Sequence, residues 1–451
     1  MKQTDFTTGN VLRQMITFSL PIMLTNLLQT SYQFIDTLWV GNLIGANALG
    51  AVAISSTVLF SVLALILGVN SATLTILSQQ KGMGNEEGLQ KYLNAFVVIL
   101  FLMSLVIGVA GYFLAEPLLR LLSTPDVMLQ PAKTYLQINF IGIFFLIGYN
   151  FIGTVLRAVG DSKTPLQFVL AAVMLNALLD PLFIAGFGWG IEGAAYATVL
   201  SQGLALSFGL FIIFRNRAVP FKRPTLPGRE ESFLILKLGI PSALQMLVIS
   251  AGMMAIMSVV NSMGEHVVAG FGAAQRLESI LLIPSLALGS AVNSMSGQNI
   301  GIHKWDRVTL ITRYAMIINT VVMLVIAFLL VLSADFGVGL FLDHEASRSF
   351  GAQYLRTIAF FFPFLGVNFV LNGIVRASGA MVQVLVLNLI SFWILRYPLT
   401  YLFSYWWGEA GIGLGMAASF VLSSVVAALY YRYGKWKELV LFEKIKEEIQ
   451  A

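Results

Sequence analysis

The sequence has few charged residues and no cysteine. Charged side chains make up 11% of the 451 residues, against roughly 25% in soluble domains. Hydrophobic residues make up 57%, and the mean hydropathy is +0.83. This composition leaves too little polar surface for water and excludes a soluble globular protein. The absence of cysteine excludes disulfides, thiolate nucleophiles and cysteine metal sites.

Histidine and lysine are scarce in the apolar segments. His266, His303 and His344 fall in predicted loops, and the one lysine within a predicted span, Lys237, lies in the first turn of that span. A proton that crosses the membrane through this protein would therefore bind mainly to carboxylates. No span contains a Ser/His pair, a metal-ligand cluster or a His-Glu-x-x-His pattern. These absences argue against a membrane-embedded enzyme, a metal site or an organic cofactor.

The long apolar runs predict an all-α integral membrane protein. A helical span needs about 20 apolar residues, and the chain contains twelve such segments in two sets of six. The predicted spans are 14–40, 50–77, 92–115, 134–157, 165–186, 192–214, 234–260, 268–296, 311–333, 353–375, 382–405 and 411–433.

The distribution of basic residues predicts the orientation of these spans. Most of the twenty-seven lysines and arginines fall on the side that carries both termini. The positive-inside rule places that side in the cytoplasm, and we expect a bacterial inner membrane. The net charge of +5 then reflects loops that face anionic lipid rather than a nucleic-acid partner.

An internal duplication organises the chain into two lobes. Each recurring pair is separated by 218 to 220 residues, which predicts two parallel six-helix bundles with a cavity between them. Among the recurring pairs are Leu20-Pro21 with Ile240-Pro241, Ser78-Gln79-Gln80 with Ser296-Gly297-Gln298, and Tyr135-Leu136 with Tyr354-Leu355. The predicted parts are an amino-terminal lobe (1–214), a cytoplasmic linker (215–232), a carboxy-terminal lobe (233–434) and a cytoplasmic amphipathic tail (435–451).

Polar side chains form a stripe along span 1. Asn26, Gln29, Gln33 and Asp36 are spaced by three, four and three residues and therefore share one helical face. An intramembrane charge costs at least ~3 kcal/mol on insertion scales, so Asp36 is a functional candidate. The stripe either lines a wet cavity or makes structural hydrogen bonds to a neighbouring helix. In span 4, Tyr149 and Asn150 are further candidates for lining a cavity.

A second intramembrane carboxylate, Asp180, lies in span 5. Asn176 is one turn before it on the same face, and Pro181 predicts a kink with freed carbonyl groups. Asp36, Asp180 and Thr198 of span 6 are expected at matching depth. Two carboxylates in one low-dielectric site increase each other's affinity for protons, although the same oxygens could also bind sodium. The alternative is that Asp180 only caps a broken helix.

The carboxy-terminal lobe lacks these acids. The repeat places Ile256 opposite Asp36 and Tyr397 opposite Asp180. Its own charged candidates are Arg276, Glu278 and Arg396, of which Glu278 and Arg396 are a candidate buried pair. The sequence leaves open whether the three residues are structural or take part in transport.

These motifs together resemble those of the multidrug and toxic compound extrusion (MATE) transporters. The resemblance covers nearly the whole chain and rests on Leu20-Pro21, Asp36-Thr37, Ser78-Gln79-Gln80 and segments 156–161, 176–181 and 297–301. It implies two six-helix lobes and export of drugs, often organic cations, against protons or sodium. Span 10 lacks the carboxylate that sodium-coupled members of one branch carry, so the chain looks like the bacterial DNA-damage-inducible (DinF-like) branch. In that branch the resemblance assigns cation coupling to Asp36, Asn176, Asp180 and Thr198.

The resulting expectation is a secondary active exporter that exchanges hydrophobic, often cationic, molecules for inward-moving protons as a monomer. Sodium as the coupling ion remains an alternative. A lipid-linked oligosaccharide flippase of the same superfamily is another, although Arg276 and Arg396 alone would make a sparse site for a pyrophosphate. A passive channel is disfavoured by the duplicated bundle with its kinked helix.

Overall fold

A computed structural model describes residues 3–216, 219–221, 224–439 and 441–442, apart from the side chain of Gln33. This part of the chain is almost entirely helical. Its sixteen α-helices, α1 to α16 in chain order, are Val11–Leu43, Ala46–Gly82, Glu86–Leu121, Asp126–Ile141, Ile143–Ala158, Lys163–Pro181, Gly190–Asn216, Arg229–Asn261, Glu265–Leu281, Ile283–Ile300, Trp305–Gly339, Glu345–Ala359, Phe362–Ala377, Met381–Leu389, Tyr397–Trp407 and Glu409–Tyr433. Most of the predicted amphipathic tail (435–451) lies outside the described residues.

The helices of the described residues are long and apolar enough for ten to twelve membrane crossings. Ten helical segments are long and apolar enough to cross a membrane, and two bent pairs bring the number to twelve if each pair is one span. The predicted all-α membrane fold with two repeats is therefore confirmed. The bends are new: α4 and α5 meet at 51°, and α12 and α13 meet at 57°. The sequence analysis treated each of these pairs as one plain span.

The bends have local causes in the sequence. At the α4–α5 junction, Gly142 has φ −80° and ψ −2°, so the chain departs from regular helix there. A side chain at Gly142 would collide with Val199 of α7, and glycine lets the two helices approach closely. At the α12–α13 junction, Pro363 lies in the first turn of α13, a position where its missing N–H group costs no helical hydrogen bond.

The chain divides into two compact units. Unit 1 comprises Met1–Asp5 and Leu20–Lys237, and unit 2 comprises Phe6–Ser19 and Leu238–Ala451. The division runs through the first helix of each repeat, next to Pro21 in α1 and Pro241 in α8. The first residues of α1 thus group with unit 2, whereas the sequence analysis assigned all of residues 1–214 to the amino-terminal lobe.

The duplication is also visible in the backbone. Gly160 has φ +88° and Gly379 has φ +91°, and both follow the repeated Arg-Ala dipeptide that ends α5 and α13. Left-handed backbone of this kind favours glycine because a Cβ atom is disfavoured there. The same turn therefore ends the fourth span of both repeats.

The fifth span of each repeat contains a π-helical turn. In unit 1 the turn Leu182–Gly186 follows Pro181, and in unit 2 the turn Ile390–Arg396 precedes Pro398. Proline cannot donate the helical hydrogen bond, and such wide turns are frequent at functional sites. The kink expected at Pro181 thus takes the form of a π-helical turn, with α6 intact through Asp180.

The amino-terminal segment is anchored within unit 2. Phe6 is fully buried, and its ring lies 4.8 Å from that of Phe18. The amide of Phe6 donates to Oε1 of Gln298 (3.1 Å), and Nδ2 of Asn299 donates to the carbonyl of Phe6 (3.0 Å). Two side chains of the 297–301 segment therefore hold the chain just before α1. The guanidinium of Arg307 donates to the carbonyls of the same segment.

Candidate functional site: a buried acidic cluster in unit 1

The first carboxylate of the cluster, Asp36, lies near the end of α1. It is buried, and the hydroxyl of Tyr135 on α4 donates a hydrogen bond of 3.3 Å to its Oδ2 atom. Tyr135 packs in an apolar cluster with Val40 and Ile184. The short half of a bent span therefore carries the hydrogen-bond donor of Asp36, and apolar packing fixes the tyrosine ring.

The second carboxylate, Asp180, lies at the end of α6. Asp180 and Asn176 are both fully buried, and Nδ2 of Asn176 donates to Oδ1 of Asp180 over 3.1 Å. This contact joins two residues one turn apart on the same face, as their spacing predicts. Asp180 interacts electrostatically with Asp36, so the two acids belong to one site.

Tyr32 joins the acids to Thr198 of α7. Its hydroxyl lies 3.5 Å from the carbonyl oxygen of Thr198, and it interacts electrostatically with Asp36 and Asp180. The sequence analysis missed both Tyr32 and Tyr135. A signal for Tyr32 existed, because it lies one helical turn before Asp36. A signal for Tyr135 existed in the repeated Tyr-Leu pair.

Four side-chain oxygens in the cluster have no hydrogen-bond donor from the protein. They are Oδ1 of Asp36, Oδ1 of Asn176, Oδ2 of Asp180 and Oγ1 of Thr198. Buried polar atoms are normally paired, so four acceptors in one place indicate a site for a hard cation or for protons. No group of three or more His, Asp or Glu side chains suited to a metal ion occurs in the described part of the chain. A sodium ion would therefore depend on the amide and hydroxyl oxygens as well.

Close packing of α7 against the π-helical turn positions Thr198. A Cβ atom on Gly193 would lie 2.7 Å from the carbonyl carbon of Phe183, so only glycine permits this approach. Gly193 and Ala194 are buried in the contact. The sequence thus brings α7 against the kinked end of α6, where Asp180 lies.

The remaining unit 1 candidates form a second polar group. Nε2 of Gln29 donates to the hydroxyl of Tyr149 over 2.8 Å. Asn150 instead donates to the backbone carbonyl of Leu146 over 2.9 Å. Asn26 is half-buried, and the side chain of Gln33 lies outside the described part. The predicted stripe of α1 thus contacts two groups: Asp36 joins the acidic cluster, and Gln29 contacts the bent span.

The candidates in unit 2 do not copy this arrangement. Glu278 on α9 and Arg396 are both buried and interact electrostatically. No salt bridge joins them among those formed by the described residues. The expected direct pair is therefore not formed. The guanidinium carbon of Arg276 lies 5.7 Å from the centre of the Phe341 ring.

A duplicated bundle of apolar helices with buried carboxylates near a kinked span is the architecture of a multi-pass membrane transporter. The MatE family model matches residues 21–182 and, a second time, residues 241–402. The chain therefore belongs to the MatE family. Each match covers the first five spans of one repeat.

Relatives and solved structures agree with this assignment. The chain is 62% identical to a probable multidrug resistance protein, YpnP of Bacillus subtilis, over 98% of its own length and 99% of the relative's. It is 26% identical to an FAD transporter of Shewanella oneidensis over 93% of each chain. A crystal structure of a MATE protein in the straight conformation superposes with a TM-score of 0.91 at 25% identity, covering 97% of this chain and 99% of that one. These relatives are membrane transporters, not enzymes.

Proposed function

We propose that the protein is a multidrug exporter that exchanges small hydrophobic, often cationic, molecules for protons across the bacterial inner membrane. The names of the multidrug resistance relatives support the cargo class. The FAD transporter among the relatives shows that cargo differs between members of this family. The proton requirement rests on the acidic cluster of unit 1.

The observation that carries the proposal is the four oxygen atoms without donors on Asp36, Asn176, Asp180 and Thr198. A proton on either carboxylate supplies a missing donor and removes a buried charge. A ligand shifts a conformational equilibrium only through different affinities for the two states. Two carboxylates in one buried site provide such a difference, because each changes charge when it binds a proton.

The proposed cycle follows from that difference. Protons from the outside bind Asp36 and Asp180, and the polar contacts of Tyr135 and Asn176 rearrange around neutral side chains. This state releases the cargo outward. Loss of the protons to the cytoplasm restores the charged carboxylates and the affinity for cationic cargo. Because net movement requires both steps, cargo and protons travel in opposite directions.

Sodium is the second candidate for the coupling ion. Carboxylate, amide and hydroxyl oxygens are the ligands that hard cations prefer, and all three types are present among the four free oxygens. The same site then works with a different ion, and the roles of Asp36 and Asp180 are unchanged.

Orientation and assembly are part of the proposal. We place both termini in the cytoplasm, since most basic residues lie on that side of the spans, and we propose that the protein acts as a monomer. The chain contains no cysteine, so a single introduced cysteine can report orientation without background. Thr8→Cys should react with an impermeant maleimide only after cells are opened, and Ser349→Cys should react in intact cells.

The test is ethidium efflux from proteoliposomes under an imposed proton gradient and, separately, a sodium gradient. The proposal expects that the proton gradient alone drives efflux by the wild-type protein and that Asp36→Asn abolishes it. If only the sodium gradient drives efflux, the coupling ion is sodium rather than the proton, and the proposed site is unchanged. If neither gradient moves ethidium or any other organic cation, the exporter proposal is wrong and the lipid-linked oligosaccharide flippase becomes the leading alternative.

A further inference from the structure

Unit 2 contains a buried polar cluster at the place that corresponds to the acidic site of unit 1. Tyr354 on α12 is the repeat counterpart of Tyr135 on α4. Arg396 shortly precedes Pro398 in the kinked fifth span, much as Asp180 immediately precedes Pro181. The duplication has thus placed a guanidinium in unit 2 near the position where unit 1 has a carboxylate.

Two aromatic rings fix the Arg396 side chain. Its guanidinium carbon lies 4.1 Å from the centre of the Phe392 ring and 4.8 Å from that of Phe420. Its Nε atom donates to Oγ of Ser419 over 3.3 Å. Arginine presents several donors in a rigid fork, and stacking leaves the edge of that fork available to a ligand.

Several donors of this cluster have no protein acceptor. Nη2 of Arg396, the hydroxyl of Tyr354 and the hydroxyl of Thr400 are buried without one. Thr400 lies one turn after Arg396 and so shares its helical face. The acidic cluster of unit 1 thus leaves carboxylate oxygens without a donor, whereas this cluster of unit 2 leaves a guanidinium N–H group without an acceptor. An anionic oxygen is the complement of such donors, because charge-assisted hydrogen bonds from arginine to carboxylates are strong.

Glu278 is the acidic side chain that interacts electrostatically with the cluster. It is the carboxylate that acts electrostatically on Arg396 and on Tyr354, yet it forms no direct salt bridge with the arginine among those of the described residues. The stacked guanidinium is held by Phe392 and Phe420 rather than by Glu278. A second carboxylate brought to Arg396 would be repelled by ionised Glu278 and accepted once Glu278 carries a proton.

A cavity in unit 2 has one residue of this cluster, Tyr354, in its lining. It has a volume of about 400 Å³, within the range of small-molecule sites. Its lining includes Gln353, Tyr354 and Thr357 of α12 and Gly413 of α16. His266 and Glu409, whose Nε2 and Oε1 atoms are 2.7 Å apart, also line it. Tyr354 thus belongs both to the lining of the cavity and to the cluster, where its hydroxyl is buried.

We propose that unit 2 binds the carboxylate group of a small organic molecule at Arg396 and Tyr354, reached through this cavity, with uptake of a proton by Glu278. The proposed ligand carries a negative charge, whereas the site in unit 1 suits a cation. A zwitterionic or anionic cargo, or a carboxylate that regulates transport, would supply such a group. The proposal concerns binding by unit 2 alone, so it does not depend on which ion drives transport.

Glu278 has few charged neighbours that could produce the same pH dependence. Of the helices packed against α9, α10 has no ionisable side chain. Besides Tyr354, the ionisable side chains of α11 and α12 are Asp306, Arg307, Arg313, Tyr314, Asp335, Glu345, Arg348 and Arg356, of which Asp335 and Arg356 pair with each other. Arg396 and Tyr354 are the groups that interact electrostatically with Glu278, and the His266–Glu409 pair lies at the cavity. A His266→Gln variant therefore separates the histidine from Glu278 as the source of pH dependence.

The test is calorimetric titration of the purified full-length protein with benzoate at pH 8 and pH 6, with chloride as a second probe. We expect one saturable benzoate site whose affinity rises on acidification, by up to about tenfold per pH unit for one proton. Glu278→Gln should bind benzoate tightly at both pH values. Arg396→Gln should weaken binding at least about tenfold, and Tyr354→Phe should weaken it several-fold, as expected for lost hydrogen bonds to a charged group.

Control variants show whether an effect on benzoate binding is specific to Arg396 and Glu278. Arg276→Gln changes another arginine of unit 2 and should leave benzoate affinity unchanged, whereas His266→Gln should keep the rise of affinity on acidification. If Arg396→Gln does not fold, Glu278→Gln and Tyr354→Phe still decide the matter. Absence of saturable benzoate binding overturns the proposal. The proposal is also overturned if Glu278→Gln keeps the pH dependence of the wild-type protein, or if the protein binds chloride but not benzoate.

Discussion

The hydroxyl of Tyr135 donates a hydrogen bond of 3.3 Å to Oδ2 of Asp36, and it is the side-chain donor that the protein offers to this carboxylate. The other carboxylate oxygen, Oδ1, has no protein donor. The first half of a bent span therefore supplies a hydrogen-bond donor to a buried carboxylate of α1. A change at α4 should reach the coupling site without altering either acid.

Replacing Tyr135 with phenylalanine should slow transport while leaving the fold intact. The ring keeps its packing with Val40 and Ile184, but Asp36 loses its donor. Hydrogen bonds to charged groups contribute roughly 1.5–3 kcal/mol, which corresponds to a tenfold or larger fall in turnover. Ethidium efflux from proteoliposomes measures the effect. Tyr112→Phe, on α3, is the matched control and should behave as wild type; equal efflux by both variants would contradict the role of the bond.

Replacing Asn176 with alanine should impair transport more than the same change at Asn388. Asn176 donates to Asp180 and contributes one of the four free oxygens. Asn388 lies in the fifth span of unit 2 and donates only to the backbone carbonyl of Val384. We expect at least a tenfold loss of drug efflux in cells for Asn176→Ala and less than a twofold loss for Asn388→Ala, at equal expression. Similar losses in both would show that Asn176 has no special link to Asp180.

Two glycine-to-alanine changes should have opposite effects on stability. At Gly193 the new methyl group would lie 2.7 Å from the backbone of Phe183, whereas at Gly272 nothing lies within 4 Å. Overpacking costs typically ~1–3 kcal/mol, while alanine in an open helical position gains up to about 1 kcal/mol over glycine. Thermal unfolding, monitored by size-exclusion chromatography, should give a lower midpoint temperature for Gly193→Ala than for the wild-type protein. For Gly272→Ala the midpoint temperature should equal or exceed that of the wild type. The reverse order would contradict the packing of α7 on the π-helical turn.

Replacing Arg307 with alanine should loosen the amino-terminal segment. Its guanidinium donates to the carbonyls of Phe6, Thr8 and Gly9 at distances of 2.8, 2.9 and 3.0 Å. Loss of these charged donors should speed hydrogen exchange at the Phe6 amide by about tenfold or more. Arg313→Ala, an exposed arginine on the same helix, is the control. No change in exchange for Arg307→Ala would show that burial of Phe6 alone fixes the segment.

The architecture was predictable from the sequence because its signals are strong and repeated. Apolar runs locate the twelve spans, and pairs such as Tyr135 and Tyr354 show the duplication. The bends at Gly142 and before Pro363 were not predicted, since each bent pair remains apolar enough to be taken for one span. The assignment of Phe6–Ser19 to unit 2 depends on long-range hydrogen bonds to Gln298 and Asn299, which no local pattern reveals.

The candidate site was predictable in part. Intramembrane Asp36 and Asp180 are rare by composition, and the spacing of Asn176 from Asp180 places them on one face. The tyrosines escaped notice because aromatic residues are common in spans and most only pack. The lack of a direct salt bridge between Glu278 and Arg396 could not be predicted from the sequence either, because it depends on how Phe392 and Phe420 hold the guanidinium.

The most direct test of cation exchange at Asp36 and Asp180 is the lumenal pH of proteoliposomes when ethidium is added outside with no ion gradient imposed. Inward movement of ethidium should expel protons, so the account predicts that the lumen becomes alkaline with the wild-type protein. Asp36→Asn and Asp180→Asn should abolish the change. Ethidium uptake without any change in lumenal pH, or an unaltered change in the two variants, would contradict proton exchange at this site.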